Sequence, residues 1–211
     1  MPQTNPIYVV DDDLDARDSL AALLRASGYN AETFESATKF LAHNSVHASG
    51  CVIADVRMPD MDGLALQEEL IRRKAAMSVI IVTGHADVPL AVRAMKAGAI
   101  DFLEKPFDAS ALLESVSRAL GQTKSHADDQ VDKLAEERFE RLTERERQVL
   151  EKIVDGHANK VIAFHLSISP RTVELHRARV MDKMEARSVA DLVRMSLPIL
   201  KARKGTLPEK S

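Results

Sequence analysis

Polar residues suited to handling a phosphoryl group follow four separate apolar stretches of the chain. The first stretch is followed by Asp11 and Asp12, and the second by Asp55. The third is followed by the hydroxyl of Thr83, and the fourth by the ammonium of Lys105. If the stretches are parallel strands, their carboxyl ends meet at one sheet edge, where the ligands of such sheets bind. Three carboxylates there repel one another unless a cation neutralises them, and oxygen ligands suit Mg2+, with Mn2+ as an alternative. Carboxylates, a divalent ion, a hydroxyl and a lysine are together the groups used in phosphoryl transfer.

The elements that must position these residues show as a periodic pattern between residues 7 and 121. Short apolar runs, typical of buried strands, alternate there with amphipathic stretches, typical of helices. The runs cover residues 7–10, 31–34, 51–54, 79–82 and 101–103, and the helical stretches cover residues 15–27, 38–42, 63–73, 89–97 and 110–120. The alternation predicts an α/β fold with a doubly wound, five-stranded parallel sheet. Gly28 and Gly98 are predicted to follow helix ends, and Asp108 to cap the last helix.

After residue 121 the pattern changes, first to a polar stretch and then to helices alone. Residues 122–140 are predicted to be a linker that is helical over residues 131–139, as a domain-joining or dimerising helix. Residues 141–204 are predicted to form an all-α domain of four helices, and residues 205–211 a tail. The first helix of the all-α domain begins with a capping box of Thr143 and Glu146. The third opens with Ser169 as N-cap and Pro170 as first residue, and the short helix before it indicates a helix-turn-helix.

Composition allows two ordinary domains and places basic charge in the second. The chain has 211 residues, of which 45% are hydrophobic. Residues 1–122 hold 11 basic and 17 acidic side chains, whereas residues 141–204 hold 14 and 8, a net charge of +6. The basic second half favours nucleic acid as a partner, the alternative being a basic face that is only solvated.

The lone Cys51 excludes an internal disulfide and is predicted to be a core residue. A cytoplasmic protein without a membrane partner is expected, because neither a signal peptide nor a membrane span is recognisable.

Residues 1–121 resemble the receiver domain of two-component response regulators. The resemblance rests on the acidic pair, on a turn motif after the second acidic position, on the hydroxyl and on the lysine before proline. These motifs are Asp11-Asp12, Asp55 with Met58-Pro59 and Gly63, Thr83, and Lys105-Pro106. The C-terminal helices resemble the LuxR-type helix-turn-helix. The two motif sets, in this order, are similar to response regulators of the FixJ and NarL type, over nearly the whole chain.

The resemblance implies a role for each residue of the phosphoryl site. Asp55 would be the phosphoacceptor, forming an aspartyl phosphate. Asp12, Asp55 and the backbone carbonyl of Arg57 would bind Mg2+ directly, and Asp11 would act through water. Lys105, followed by a cis proline, would pair with a carboxylate or with a phosphoryl oxygen.

The resemblance also implies a switch made of Thr83 and Phe102. Thr83 would move to donate a hydrogen bond to the phosphoryl group, and the space that it leaves would let Phe102 turn inward. The alternative is that Phe102 is an ordinary core aromatic. The face between residues 88–97 and residues 110–120 would then repack, and receivers would pair into a homodimer.

For the helix-turn-helix, the resemblance implies that one face of the helix from Ser169 to Met184 reads DNA. The positions expected near base edges are Glu174, Leu175 and Ala178. Those expected mostly to hold phosphates are Lys160, Arg171, Thr172, Arg179 and Lys183. Glu174 could accept from a cytosine amino group or simply be solvated. Spacing predicts that Val173, Val180 and Met184 face the core, and His176 is assigned a packing role. The domain would bind half-sites as a dimer, with residues 188–197 as its dimer helix.

The partners implied are a sensor histidine kinase, double-stranded promoter DNA and RNA polymerase. A FixJ-type regulator would receive its phosphoryl group from a FixL-like, oxygen-sensing haem kinase. It would activate genes of nitrogen fixation and microaerobic respiration. Other regulators of this type serve different signals, so the signal stays open.

Two further readings compete with a phosphorylated regulator. One is a constitutive DNA-binding protein with an unphosphorylated receiver, against which the complete acidic site argues. The other is a phosphatase that forms an aspartyl phosphate, but such enzymes of the haloacid-dehalogenase type need an acid where Arg57 stands. No Gly-x4-Gly-Lys phosphate loop is present, which argues against an ATPase. We therefore expect no enzymatic activity beyond the receiver's own phosphoryl transfer and autodephosphorylation.

Overall fold

The structure, a computed structural model, describes residues 5–43, 49–85, 87–121 and 127–205. It divides into two compact units, residues 1–86 with 96–124 and residues 87–95 with 125–211. The start of the predicted linker, residues 122–126, and nearly all of the predicted tail, residues 206–211, lie outside the described residues. The predicted domain borders therefore remain a prediction.

Five parallel strands make up one sheet in the first unit, which confirms the predicted fold class. The strands are β1 (Ile7–Val10), β2 (Ala31–Phe34), β3 (Gly50–Asp55), β4 (Met77–Thr83) and β5 (Asp101–Glu104). Their order across the sheet is β2-β1-β3-β4-β5. Every residue of β1 and β3 is buried, as expected of parallel strands covered on both faces.

The register of the sheet brings the carboxyl ends of its strands to one level. Val10 lies beside Ala54 in the pairing of β1 with β3, so the residues that follow them, Asp11 and Asp55, are neighbours. Thr83 lies beside Glu104 in the pairing of β4 with β5, so Lys105 follows at the same edge. The sheet thus gathers residues that are far apart along the chain.

Five helices follow the five strands in turn. They are α1 (Leu14–Ala26), α2 (Ala37–Ala42), α3 (Gly63–Arg72), α4 (Val88–Lys96) and α5 (Ala109–Ala119). All belong to the first unit except α4, which groups with the second unit. Leu24 of α1 and Val116 of α5 share one buried cluster with Val9 and Ile53, so both helices cover the same face of the sheet.

The helix ends follow the predicted signals with one exception. Gly28 and Gly98 have positive φ angles of 87° and 91°, as residues after a helix end require. Asp13 is the N-cap of α1, and its carboxylate accepts from the Ala16 N–H. Asp108 stands at the N-cap of α5, but its side chain accepts no capping hydrogen bond, so the predicted side-chain cap is wrong.

The second unit is helical, as predicted. Its helices, besides α4, are α6 (Ala127–Glu140), α7 (Glu144–Val154), α8 (Asn159–Leu166), α9 (Pro170–Met184) and α10 (Val189–Gly205). The capping box of Thr143 and Glu146 is present at α7. Ser169 caps α9 by accepting from the Thr172 N–H, with Pro170 as the first helical residue. The pair of α8 and the longer α9 is the predicted helix-turn-helix.

The last helix is longer than the sequence predicted. The predicted end at Leu197 is wrong, because α10 continues through Pro198 to Gly205. A proline lacks the N–H that would bond to the carbonyl four residues earlier, so the helix forgoes one backbone hydrogen bond there. Ile199 and Leu200, directly after the proline, are buried, and burial of their side chains offsets the lost bond.

The linker helix α6 is partly built into the second unit. Phe139 is buried, and the guanidinium groups of Arg147 and Arg203 lie 5.3 and 4.6 Å from the centre of its ring. Glu140 forms ion pairs with both arginines. The end of α6 is therefore held by α7 and α10 through cation–π contacts and ion pairs.

Two smaller expectations concern the cysteine and the membrane. Cys51 is fully buried in β3, and burial raises the pKa of its thiol to about 12, which makes it an inert core residue as predicted. Within the described ranges, no helix combines the length and apolarity that crossing a bilayer requires.

We predict that Glu146→Gln destabilises the helical unit by about 1–2 kcal/mol at pH 7, because the neutral amide still accepts from the Thr143 N–H but loses the charge-assisted bond from Lys183. The buried Glu146 carboxylate accepts from the Thr143 N–H at 2.8 Å and from Lys183 Nζ at 2.7 Å. Burial raises the pKa of this carboxyl, but the bonds from Lys183 and Thr143 outweigh burial and hold the pKa below its usual 4.5. A lowered pKa in the folded state means that the stabilisation is present above pH 4.5 and is lost as the pH falls through the folded-state pKa.

Urea unfolding of wild type and variant at neutral and acidic pH measures this effect. The exposed Glu151 on the same helix supplies the control variant Glu151→Gln, which should unfold like wild type. A stability difference for Glu146→Gln that persists unchanged in acid would contradict the prediction.

Candidate functional site

Two buried carboxylates share one ammonium at the carboxyl edge of the sheet. Lys105 Nζ donates to Asp11 Oδ2 at 2.7 Å and to Asp55 Oδ1 at 2.7 Å. Asp11 is 1% exposed and Asp55 is 7% exposed, and Lys105 closes over them with a quarter of its side chain in solvent. The structure therefore brings together three of the predicted residues, from the ends of β1, β3 and β5.

Backbone N–H groups hold the remaining oxygen of each carboxylate. The Arg57 N–H donates to Asp55 Oδ2 at 2.5 Å, and the Asp13 N–H donates to Asp11 Oδ1 at 2.9 Å. The loop after Asp55 folds back so closely that a Cβ on Gly63 would lie 2.4 Å from the Asp55 carbonyl oxygen. Glycine is thus required where the sequence motif has it, and the loop that it permits fixes the orientation of Asp55.

The charge of Lys105 is stabilised by its surroundings. Partial burial lowers the pKa of the ammonium, but the hydrogen bonds and the attraction of Asp11 and Asp55 outweigh burial and raise the pKa above its usual value. Lys105 is therefore fully protonated at neutral pH. One positive charge faces two negative charges, so the cluster retains an excess of negative charge for a cation to neutralise.

Asp12 and Arg57 lie at the rim of this cluster. Both side chains are exposed, and the Lys105 ammonium donates to Asp11 and Asp55 rather than to Asp12. In the part of the chain that the structure describes, no three His, Cys, Asp or Glu side chains are grouped as a metal site. The carboxylate oxygens present are the donors that hard divalent ions prefer, but two of the three predicted carboxylates bind Lys105 here.

Thr83 and Phe102 are both inside the sheet edge. The buried Thr83 hydroxyl donates to the His85 carbonyl oxygen and accepts from the His85 N–H, each at 3.2 Å. The Phe102 ring is buried, with 4% of the residue exposed. A buried ring is compatible with the alternative that Phe102 is an ordinary core aromatic, and its part in the switch stays a prediction.

The expected DNA-reading side of α9 is exposed. Its buried side carries Val173, Val180 and Met184, all 0% exposed, as the spacing predicted. Five of the predicted DNA contacts on this helix are exposed: Arg171, Glu174, Leu175, Ala178 and Arg179. Thr172 is half-buried, with its hydroxyl 2.8 Å from that of Ser169. Lys160, at the start of α8, is exposed.

Lys183 differs from the other predicted phosphate contacts. Its ammonium binds Glu146 Oε2 at 2.7 Å and the Arg141 carbonyl oxygen at 3.3 Å, so it is engaged within the unit. His176 is half-buried, in keeping with a packing role. The sequence reasoning did not single out Arg177, whose guanidinium donates to Asn159 Oδ1 at 2.6 Å and ties α9 to the start of α8. No local pattern marked this contact, because its partner lies on another helix.

We predict that Lys105→Met lowers the free energy of unfolding of the sheet unit by about 1–3 kcal/mol, because it leaves two buried carboxylates without their cation. The estimate lies below that for a fully buried pair because Lys105 is partly exposed. Urea unfolding is the measurement, and Lys96→Met, at an exposed position of α4, is the matched control. Equal stability of the Lys105 variant and wild type at neutral pH would contradict the prediction.

Comparison with known protein families agrees with both halves of this arrangement. Residues 7–117 match the family described as the response regulator receiver domain, and residues 140–196 match the luxR family of bacterial regulatory proteins. The first match contains the cluster around Lys105, and the second contains the helix-turn-helix.

Individual relatives match along nearly the whole chain. The transcriptional regulatory protein FixJ of Azorhizobium caulinodans is 51% identical over 199 residues, which are 93% of this chain and 94% of the relative. The response regulator protein TmoT of Ectopseudomonas mendocina is 43% identical over 92% of this chain and 89% of its own. The crystal structure of full-length FixJ from B. japonicum is 42% identical, covers 97% of this chain and 98% of its own, and has a TM-score of 0.53. The chain therefore belongs to the FixJ-like response regulators of transcription, which join a receiver domain to a LuxR-type DNA-binding domain.

Proposed function

We propose that Asp55 accepts a phosphoryl group from a sensor histidine kinase, and that phosphorylation makes the chain dimerise and bind promoter DNA. The observation that carries the proposal is the Lys105 ammonium, held 2.7 Å from both Asp11 and Asp55. A carboxylate that is nearly buried, oriented by the Arg57 N–H and backed by a cation has the position of a nucleophile. A location in the cytoplasm is part of the proposal.

The chemistry of the step follows from these groups. An Asp55 carboxylate oxygen attacks phosphorus, the bond from phosphorus to the donor histidine nitrogen breaks, and the imidazole leaves with the electron pair. The Lys105 ammonium offsets charge on the incoming phosphoryl oxygens. Asp12, Asp55 and the Arg57 carbonyl would hold Mg2+, with Asp11 acting through water, and the metal would lower the repulsion between carboxylate and phosphoryl group. Mn2+ suits the same oxygen donors. We propose no catalysis beyond this transfer and autodephosphorylation.

The proposed switch passes through Thr83. A phosphoryl group on Asp55 adds about −1.5 to −2 charge and strong acceptor oxygens, which compete with His85 for the Thr83 hydroxyl. Phe102 would follow as the aromatic partner of the switch, by turning into the space that Thr83 leaves. The receivers would then pair through the face between residues 88–97 and residues 110–120, as the resemblance implies.

The proposed DNA contacts lie on the exposed side of α9 and the start of α8. Glu174, Leu175 and Ala178 are assigned to base edges, and Lys160, Arg171, Thr172 and Arg179 to phosphates. Lys183 is kept as a phosphate contact only if it leaves Glu146 when DNA binds. RNA polymerase would be the further partner at the promoter.

The signal is proposed by resemblance to FixJ. A FixL-like kinase that senses oxygen through haem would be the donor, and genes of nitrogen fixation and microaerobic respiration would be the targets. The chain is also 43% identical to a response regulator with a name other than FixJ, TmoT, so the alternative of a FixJ-type regulator that serves another signal is kept.

We predict that acetyl phosphate with Mg2+ adds one phosphoryl group to wild type and none to Asp55→Asn, because the amide of Asn is not nucleophilic. Mass spectrometry measures the added group, and light scattering measures a shift from monomer to dimer in wild type alone. Asp18→Asn, at an exposed position of α1, is the control and should behave as wild type. Acid-labile phosphorylation of the Asp55 variant would show that another residue is the acceptor.

We predict that Arg179→Ala weakens binding to a short duplex of arbitrary sequence and reduces the slope of log affinity against log salt by about 1, the effect of one lost phosphate contact. Fluorescence anisotropy over a series of salt concentrations measures the slope. Lys201→Ala removes an exposed charge from α10 and should leave the slope unchanged. A slope for Arg179→Ala equal to that of wild type would remove this residue from the phosphate contacts.

A further inference from the structure

A half-buried arginine in the first turn of α1 reaches back to the acidic pair that follows β1. Arg17 Nη1 donates to the backbone carbonyl oxygen of Asp11 at 2.6 Å. Because the donor is a charged guanidinium, this hydrogen bond is stronger than one between two neutral groups. The roles proposed above for the phosphoryl site do not use it.

The backbone is fixed on both sides of Asp12. Before it, the Asp11 N–H donates to the Phe34 carbonyl oxygen of β2 at 3.2 Å. After it, Asp13 is the N-cap of α1. Asp12 itself belongs neither to the strand nor to the helix, and its side chain is exposed. The bond from Arg17 acts on the planar peptide group that joins Asp11 to Asp12, so it fixes the backbone from which the Asp12 carboxylate extends.

Arg17 and Asp12 also line the same cleft at the mouth of the site. The cleft encloses about 380 Å³, which leaves space for a divalent ion and for the waters that Mg2+ usually keeps. Glu35 lies in the wall of this cleft, and its pKa is lowered mainly by the hydrogen bond from Lys39 and to a smaller extent by the charge of Arg17. The guanidinium is therefore close to the space that a metal ion would occupy.

Two effects of Arg17 on a bound Mg2+ oppose each other. Its positive charge repels the ion, but the high dielectric constant of a cleft open to water weakens this repulsion. Its hydrogen bond holds the backbone of Asp12, and Mg2+ demands near-ideal octahedral geometry from its ligands. Groups that orient a metal ligand change metal affinity by about 10- to 100-fold. The orienting effect is therefore expected to exceed the repulsion.

We propose that Arg17 is a positioning residue for Mg2+ at the phosphoryl site, and that it raises the affinity for the ion by holding the Asp11–Asp12 peptide group. The inference rests on the proposed function, because it requires the metal site, and it deepens that function by adding a residue outside the ligand set. Arg17 does not touch the ion. It directs the Asp12 carboxylate before the ion arrives, so that binding need not pay the entropy of ordering this loop.

The experiment measures metal binding by the unphosphorylated full chain. Electron paramagnetic resonance detects free Mn2+ during a titration, and competition by Mg2+ gives the affinity for that ion. Wild type is compared with Arg17→Met, which removes both the charge and the hydrogen bond. Arg17→Gln, whose side chain is too short to reach the carbonyl, repeats the test if the methionine variant does not fold.

Arg25 supplies a matched control on the same helix. Its guanidinium also donates to a backbone carbonyl oxygen, that of Ala31, at 2.7 and 3.1 Å. Ala31 is the first residue of β2, so this contact lies at the edge of the sheet opposite the phosphoryl site. Arg25→Met therefore removes the same kind of bond from α1 without touching the acidic pair.

We expect Arg17→Met to bind Mg2+ about tenfold more weakly than wild type, at the lower end of the range for a ligand that loses its support. Arg25→Met should lose stability in urea but bind Mg2+ as wild type does. With acetyl phosphate as donor, the Mg2+ concentration that gives half the maximal rate should rise about tenfold for Arg17→Met, while the rate at saturating Mg2+ stays close to that of wild type.

Other results would overturn the inference in distinguishable ways. Mg2+ binding by Arg17→Met as tight as that of wild type, or tighter, would show that Arg17 acts on the ion through its charge or not at all. An equal loss of affinity in Arg25→Met would assign the effect to a general loosening of α1. If wild type binds neither Mn2+ nor Mg2+, the proposed metal site itself fails and this inference with it.

Discussion

Like charges forced together at the end of a parallel sheet are the constraint on which the rest of the site depends. Because β1 and β3 are in register, Asp11 and Asp55 end side by side with almost no access to water. Burying two carboxylates this close is unfavourable unless a cation and N–H donors compensate them. Lys105 at the end of β5 supplies the cation, and the N–H groups of Asp13 and Arg57 supply the donors. The arrangement still holds more negative than positive charge, so it favours a further cation.

The sheet and the position of this cluster were predictable because both follow from burial. Strands covered on both faces read as continuous apolar runs, and a polar residue that ends such a run marks the sheet edge. The limits of β4 were less predictable, since it begins at Met77 and includes the polar residues Ser78, near its start, and Thr83, at its end. The hydrogen bonds of Thr83 were not predictable, because they depend on the conformation of the loop at His85, which no periodicity records.

In the helical unit, the residues that sequence missed are those whose partners lie far along the chain. Spacing correctly assigned Val173, Val180 and Met184 to the core, because a helix face is a local property. Two such contacts join separate helices and leave no local signal in the sequence. In one, Arg147 and Arg203 lie over the ring of Phe139, and in the other, Lys183 forms an ion pair with Glu146. The end of α10 was wrongly predicted for the opposite reason. A proline usually interrupts a helix, but here burial of Ile199 and Leu200 outweighs that local preference and the helix continues through Pro198.

The contacts around Thr83 limit what phosphorylation of Asp55 can contribute by itself. Moving the hydroxyl gives up two hydrogen bonds with His85, worth about 0.5–1.5 kcal/mol each, and gains one bond to a charged acceptor, worth about 1.5–3 kcal/mol. Lys105 likewise exchanges one carboxylate partner for another anion, so its net gain is also small. Driving a two-state switch from 1:99 to 99:1 requires about 5.5 kcal/mol of differential stabilisation. Under the proposed function, the site would therefore select the state, and most of the free energy would have to come from surface that the receivers bury when they pair. Phosphorylation and dimerisation should accordingly be strongly coupled, and the extent of the switch should depend on protein concentration.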